Sequence, residues 1–127
     1  MRIHLCIAFY VVLAGFVTGI GASEWCAVLL CIALVISLEL VNTALERLGD
    51  RVTGERDALI GLAKDCAAGA VLTASIVSAI VGALVFFGND RPQAALSFAI
   101  NNKLPAGAIV LTLPAWIYYI FQRRLSK

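Results

Sequence analysis

Four polar residues recur at helical spacing inside an apolar stretch of the sequence: Glu39, Asn42, Glu46 and Asp50. At about 100° per residue they share one stripe of a helix whose opposite face is apolar. Carboxylates at a membrane interface can bind Mg²⁺, which takes one or two protein carboxylates together with nucleotide phosphates. The stripe therefore predicts a site for a metal ion and a nucleotide.

A second polar group, Lys64 and Asp65, opens the next apolar stretch at a matching depth. A lysine in that position can neutralise charge on a phosphoryl group during its transfer. Glu39 is the deepest carboxylate, and a carboxylate within the bilayer can accept a proton from a hydroxyl embedded in the membrane. Together these residue types fit phosphoryl transfer from ATP to a lipid alcohol.

Each of these features also has a structural interpretation. The stripe can form a polar clamp between helices. Asp50 alone is typical of a solvated helix end, and Lys64 with Asp65 is typical of an interfacial anchor. The lone histidine, His4, is interpreted as a structural residue at the interface. A proton carrier that uses Glu39 fits less well, because the polar residues follow one half of the membrane instead of meeting at its midplane.

The composition indicates what surrounds this group of residues. The chain has 127 residues, of which 61% are hydrophobic and 14% are charged, and its mean hydropathy is +0.94. A soluble domain of this size cannot bury so much apolar surface, because small domains bury the smallest fraction of their chain. Lipid is therefore the expected solvent. The net charge of only +2, without a basic face, argues against a nucleic-acid-binding protein.

The apolar stretches predict an all-α, integral membrane helical bundle. Span 1 is expected over about residues 3–20. Span 2 is expected to start at Ser23 as N-cap and to stay helical up to residues 53–54. Span 3 is expected to start at Asp57, again as N-cap, and to end near Phe87. The four cysteines lie in apolar stretches without metal-ligand spacing.

The C-terminal third of the chain predicts further helices. Residues 88–92 read as a break, and residues 93–103 predict a short interfacial helix. Residues 104–121 predict a fourth span, in which Pro114 should produce a kink. The expected bundle thus has three transmembrane helices and a fourth, C-terminal one.

The distribution of lysine and arginine predicts the orientation of these spans. Eight of the ten basic residues lie at the chain ends or between spans 2 and 3. The positive-inside rule then puts both termini and the polar connection in the cytoplasm of a cell whose inner membrane holds the protein. The eight are Arg2, Arg47, Arg51, Arg56, Lys64, Arg123, Arg124 and Lys127, and the other two are Arg91 and Lys103.

Two longer motifs sharpen this interpretation. Residues 39–50 follow the pattern E-x-x-N-T-A-x-E-x-x-x-D, and residues 63–71 follow A-K-D-x-A-A-G-A-V. Both patterns, at this separation, closely resemble those of the prokaryotic diacylglycerol/undecaprenol kinase family. The resemblance covers roughly residues 2–87.

The resemblance implies a role for each matched residue. Glu39 would be the catalytic base for the lipid hydroxyl and would contact the lipid substrate together with Ala68. Glu46 would be a Mg²⁺ ligand. The site for ATP, the co-substrate, would be lined by Asn42, Glu46, Asp50, Glu55, Asp57, Lys64 and Asp65.

The resemblance also implies an assembly and a division of the chain. The family forms homotrimers of small helical subunits with sites between protomers. Residues 1–88 would be the lipid-kinase-like transmembrane core, without the family's N-terminal surface helix and the glutamate metal ligand at its end. Residues 89–127 would be a connection and an extra C-terminal transmembrane helix.

The expected function is ATP- and Mg²⁺-dependent phosphorylation of a membrane lipid alcohol, undecaprenol or diacylglycerol, at the cytoplasmic face. The A-A-G-A-V form of the second motif resembles the undecaprenol-kinase branch slightly more. The competing interpretation is a catalytically degenerate homologue that binds lipid or nucleotide in the membrane. The glutamate that is expected to be missing is the feature that favours it.

Overall fold

The computed structural model describes residues 2–52, 57–88 and 91–102, and beyond them residues 107, 112, 114 and 116–118. The described part contains four α-helices and no strand. They are α1 (Arg2–Thr18), α2 (Ala22–Val52), α3 (Ala58–Phe87) and α4 (Arg91–Asn101). The predicted all-α class is confirmed for this part of the chain.

The turn between α1 and α2 is a glycine-terminated helix end. Gly19 adopts φ +63°, in the left-handed region that glycine occupies without steric cost. The Ile20 amide donates to the Gly15 carbonyl at 3.2 Å, the long bond that closes this type of helix end. Ile20 is itself buried, so the turn is fixed by both a hydrogen bond and packing.

Helix α2 begins two residues earlier than the sequence predicts. The Glu24 carboxylate accepts the Gly21 amide at 2.7 Å, and the Trp25 amide donates to the Gly21 carbonyl at 2.9 Å. This arrangement is the glutamate half of a capping box, with Gly21 as N-cap. The prediction of Ser23 as N-cap was therefore wrong, because the glutamate three residues beyond Gly21 caps the helix from inside.

Helix α3 begins where the sequence predicts. Asp57 is its N-cap, and its Oδ1 accepts the Leu59 amide at 2.8 Å and the Ile60 amide at 3.2 Å. The helix continues for 30 residues to Phe87. Both α2, with 31 residues, and α3 are about 45 Å long, which exceeds a hydrocarbon core of about 30 Å.

Two of the described helices, α2 and α3, are long and apolar enough to cross a membrane. Helix α1 is as apolar but has 17 residues and is about 25 Å long. The break after α3 is narrower than predicted, because Arg91 and Pro92 already belong to α4, and proline suits the first turn of a helix. The predicted fourth span, 104–121, lies mostly outside the described residues.

The surface of the chain is apolar and its core is small. Among the described residues, the buried apolar side chains are Ile20, Val28, Val35, Ala74 and Val85. Large side chains point outward along the helices, for example Leu30 at 71% exposure and Leu84 at 72%. Continuous apolar surface on long helices, whose backbone groups are satisfied internally, fits a lipid environment. The described fold is all-helical, with two long apolar helices whose outward surface suits lipid.

The C-terminal part of the chain contacts α1. The Tyr10 hydroxyl and the Thr112 hydroxyl share a hydrogen bond of 2.7 Å. The rings of Phe9 and Trp116 lie 5.9 Å apart between centroids. These two contacts hold Thr112 and Trp116 against the first half of α1.

Candidate active site

The polar stripe of α2 begins at Glu39, in the eighteenth position of the helix and about 26 Å from its start. The Glu39 side chain is 15% exposed, and its Oε2 lies 3.4 Å from Nδ1 of His4 in the first turn of α1. The histidine that the sequence assigned to a structural role therefore touches the proposed base. A comparison of depth would have found it, because both residues lie more than about 20 Å along their helices from the turn that joins α1 to α2.

One turn further along α2, Asn42 and Glu46 form a pair. The Asn42 amide group donates to Glu46 Oε1 at 3.0 Å, and Glu46 is exposed. The Asn42 Oδ1 atom is buried and accepts no hydrogen bond from the described residues. A carboxylate whose position is fixed by an amide, beside a free carbonyl oxygen, is a donor set that suits a hard cation.

The last member of the stripe joins α2 to α3. Lys64 donates through Nζ to Asp50 Oδ1 at 2.6 Å, and the two side chains are 32% and 72% exposed. A pair this exposed adds little stability, on the order of 1 kcal/mol or less. Lys64 can therefore leave Asp50 for a phosphate group at small cost.

Gly49 makes the contact between Asp50 and Lys64 possible. A Cβ atom on Gly49 would lie 2.6 Å from Lys64 Cε and 2.8 Å from Ile60 Cγ2. Because Gly49 has no side chain, Lys64 can cross this face of α2 to reach Asp50. Sequence analysis missed this residue, and its only signal was a glycine inside a helical pattern next to a predicted site residue.

The other expected site residues lie apart from these contacts. Asp57 caps α3, so one of its oxygens is already occupied by the helix. Asp65 and Ala68 are exposed on α3, and Asp65 makes no hydrogen bond or ion pair with the described residues. Glu55 lies outside the described residues. Within the described part of the chain, no three His, Cys, Asp or Glu side chains gather closely enough to hold a metal ion by themselves.

A cavity of about 440 Å³ lies between α1, α2 and α3 and begins at His4. Its wall is almost entirely aliphatic and aromatic, and Ser75 and Ser78 contribute the other polar side chains. Both serine hydroxyls and His4 Nδ1 are buried without a hydrogen-bond partner among the described residues. The cavity is suited to hydrocarbon, and its polar end adjoins Glu39.

The opposite end of the bundle carries a cluster that the sequence did not predict. Arg91 donates through Nη2 to both carboxylate oxygens of Glu24, at 2.6 Å each, and through Nη1 to the Val85 carbonyl at 2.7 Å. The arginine therefore ties α4 to the start of α2 and to the last turn of α3. The sequence had suggested only that Arg91 lies in a connection between spans.

Comparison with known proteins adds the decisive observation. The family model described as prokaryotic diacylglycerol kinase matches residues 1–86, about two thirds of the chain and the part that contains the helices around Glu39 and Lys64. The chain belongs to the prokaryotic diacylglycerol kinase family. The resemblance seen in the two motifs is thereby confirmed, and the chain is a lipid kinase.

The chain is also similar in sequence to two curated proteins named as lipid kinases. The undecaprenol kinase of Bacillus subtilis is 39% identical over 85 residues, which are 67% of this chain and 69% of the relative. The diacylglycerol kinase of a Synechocystis species is 43% identical over 82 residues, 64% of this chain and 47% of the relative. The match therefore spans less than half of the second relative. No solved structure matches the chain.

Proposed function

We propose that this kinase transfers the γ-phosphoryl group of ATP to the hydroxyl of a membrane lipid alcohol at the cytoplasmic face of a bacterial inner membrane. The observation that carries the proposal is a polar path along α2, from Glu39 past the Asn42–Glu46 pair to the Asp50–Lys64 pair, which begins beside an apolar cavity and ends on exposed surface. A lipid reaches such a path from the cavity, and a nucleotide reaches it from water. The two substrates therefore meet between Glu39 and Glu46.

Each residue of the path has a chemical role in this proposal. Glu39 accepts the proton of the lipid hydroxyl while the hydroxyl oxygen forms a bond to the γ-phosphorus. The bond between the γ-phosphorus and the oxygen that bridges it to ADP breaks in the same step. Lys64 leaves Asp50 to neutralise charge on the phosphoryl oxygens. The products are ADP and the phosphorylated lipid.

Glu46 and Asn42 would hold Mg²⁺ with the phosphates of ATP. Their fit rests on the exposed Glu46 carboxylate, which Asn42 orients, and on the buried Asn42 oxygen without a partner among the described residues. When bound, Mg²⁺ neutralises phosphate charge. Asp57, Asp65 and Glu55 are proposed as the outer part of the nucleotide site, and Ala68 as a lipid contact.

The acceptor that we propose first is undecaprenol, with diacylglycerol as the other candidate. The A-A-G-A-V form of the second motif supports undecaprenol. The Bacillus subtilis relative that carries this name also shares a larger fraction of both chains than the diacylglycerol kinase does. The cavity itself accepts the hydrocarbon of either lipid.

The proposed topology has three spans, α1 to α3, and a fourth over residues 104–121, with both termini in the cytoplasm. Its support is the excess of basic residues at the chain ends and between α2 and α3. A homotrimer with sites between protomers is proposed from family resemblance. The exposed apolar faces of single helices leave room for such neighbours.

The test is transfer of labelled γ-phosphate from ATP in detergent micelles with Mg²⁺, with undecaprenol and diacylglycerol offered separately. Label should appear in one lipid and should be lost in Glu39→Ala and Glu46→Ala. Nucleotide binding without transfer to either lipid, by folded wild-type protein, would instead identify a catalytically degenerate homologue.

A further inference from the structure

Two hydroxyl groups in the wall of the cavity have no role in the reaction as proposed above. Ser75 and Ser78 lie one turn apart on α3 and share with Gly82 and Phe86 the face that lines the cavity. Both Oγ atoms are buried and make no hydrogen bond with the described residues. Because buried polar groups are normally satisfied, two open hydroxyls in an otherwise apolar wall indicate a ligand with hydrogen-bonding groups.

The helix itself offers these hydroxyls an alternative that they do not use. A serine or threonine inside a helix commonly donates to the carbonyl group four residues earlier. Thr73, on the same helix, does so to the Gly69 carbonyl at 2.9 Å. Ser75 and Ser78 line the cavity without such a bond to the described backbone, so their O–H groups are available to a bound molecule.

The packing of α2 against α3 sets the depth of the two serines relative to Glu39. Gly49 lies against segment 60–64 of α3, where an added Cβ would meet two side chains. Since the two helices are antiparallel, ten residues further into the bundle Glu39 lies level with about residue 72. At 1.5 Å per residue, the first serine lies about 4–5 Å deeper than the base and the second about 9 Å deeper.

An acceptor lipid whose hydroxyl lies at Glu39 places its next atoms at the depth of these serines. In diacylglycerol the two ester groups follow the hydroxyl along the glycerol backbone, and each has a carbonyl oxygen that accepts a hydrogen bond. In undecaprenol the hydroxyl is followed by hydrocarbon alone. Diacylglycerol therefore satisfies both serine donors, whereas undecaprenol satisfies neither.

We propose that Ser75 and Ser78 set the preference between the two acceptors, an inference that rests on the proposed function. They donate to the ester carbonyl oxygens of diacylglycerol and make that lipid a substrate alongside undecaprenol. When undecaprenol is bound, each hydroxyl turns back to a carbonyl of its own helix, as Thr73 does. The serines thus add affinity for one lipid without excluding the other.

Alanine substitution tests each donor with little change in shape. Ser75→Ala and Ser78→Ala should each lower kcat/KM for diacylglycerol by about threefold to tenfold, the loss expected for one hydrogen bond between neutral groups. The kcat/KM for undecaprenol and the KM for ATP should not change. Thr73→Val is the matched control, because it removes an exposed hydroxyl that is already bonded to the backbone, and it should leave the use of both lipids unchanged. Equal losses for the two lipids in the serine variants, or no loss, would overturn the role of the serines while the kinase itself stands.

A change in the lipid tests the same hydrogen bonds from the other side. A dialkylglycerol keeps the glycerol, the hydroxyl and both chains but has ethers in place of esters, so it lacks the two carbonyl oxygens. The wild type should prefer diacylglycerol to this analogue by about the combined loss of the two alanine variants, and the double variant should use the two lipids alike. An ester preference that persists in the double variant would overturn the inference. Each single variant should show a reduced ester preference, which carries the same test if the double variant folds poorly.

The choice of acceptor separates this inference from the proposed function. A wild type that phosphorylates undecaprenol but not diacylglycerol would overturn the role of the serines alone. Absence of phosphorylation of either lipid by folded wild-type protein would overturn the proposed function, and the inference with it.

Discussion

The two ends of the bundle are built from similar parts but differ in how completely they are paired. The Arg91 end consists of Gly15, Glu24, Trp25, Val85 and Arg91. There a glycine on α1 admits the Trp25 ring, since a Cβ on Gly15 would lie 2.7 Å from the indole. Arg91 binds both oxygens of Glu24 and also a carbonyl. Among the described residues of this end, the charged groups Glu24 and Arg91 are paired with each other, and we interpret the cluster as a structural clamp.

The Lys64 end consists of His4, Asp65 and the stripe from Glu39 to Asp50 together with Gly49 and Lys64. It also has a glycine that admits a large side chain and one ion pair between helices. Its pair is more exposed, and the buried atoms Asn42 Oδ1 and His4 Nδ1 have no hydrogen-bond partner among the described residues. Buried polar groups are normally satisfied, so open ones mark the end where a ligand binds.

Replacing one carboxylate at each end should give the largest difference in kcat between the two ends. Glu39→Gln should lower kcat with lipid by about 10²- to 10⁴-fold, because the proton acceptor is lost while the shape is kept. Glu24→Gln, on the same helix, should leave kcat unchanged and lower the midpoint of thermal unfolding. Phosphate transfer and thermal unfolding in detergent measure both. Equal loss of activity in the two variants would remove the distinction between the ends.

Removal of the cation of the Lys64 end should affect nucleotide use more than stability. Lys64→Ala removes a charge-assisted contact to phosphate of about 1.5–3 kcal/mol. The expected loss in kcat/KM for ATP is therefore about tenfold to a hundredfold. Because the pair with Asp50 is exposed, the unfolding midpoint should barely change. Asp50→Asn removes the same ion pair from the other side, and a large loss of stability in either variant would show that this pair is a structural clamp as well.

Sequence reasoning recovered the features that lie within one helix. The register of the stripe, the length of α2 and the Asp57 cap all follow from helical periodicity and from the hydrogen-bonding capacity of aspartate. The contact of His4 with Glu39 was not recovered, since it depends on how α1 is set against α2. The start of α2 was misplaced because a glutamate inside the helix, rather than a serine before it, provides the cap.

Of two glycine-to-alanine substitutions, only the one at Gly49 should lower both stability and the use of ATP. Gly49→Ala introduces a Cβ that would clash with Lys64 and Ile60, and over-packing of this kind costs about 1–3 kcal/mol. It should also lower kcat/KM for ATP severalfold by displacing Lys64. Gly61→Ala on α3 meets open space and should stabilise the helix by about 0.5–1 kcal/mol.

Unfolding in detergent and the ATP dependence of phosphate transfer distinguish these outcomes. A Gly49→Ala variant as stable and as active as the wild type would show that Lys64 does not need the path across α2. Loss of activity in Gly61→Ala as well would point to a general sensitivity of the helix pair. The role of Gly49 in placing Lys64 is supported if Gly49→Ala loses stability and activity and Gly61→Ala loses neither.

The smallest effect on catalysis is expected from the Arg91 end. Arg91→Ala leaves the Glu24 carboxylate and the Val85 carbonyl without their partner, so the unfolding midpoint should fall by more than in Lys64→Ala. Phosphate transfer measured well below that midpoint should stay near the wild-type rate. Arg91→Lys should recover only part of the stability, because an ammonium group does not reproduce the planar fork that binds two carboxylate oxygens and a carbonyl. If kcat falls in Arg91→Ala while the fold is intact, the two ends are coupled along α2 and α3. The clamp would then contribute to catalysis as well as to stability.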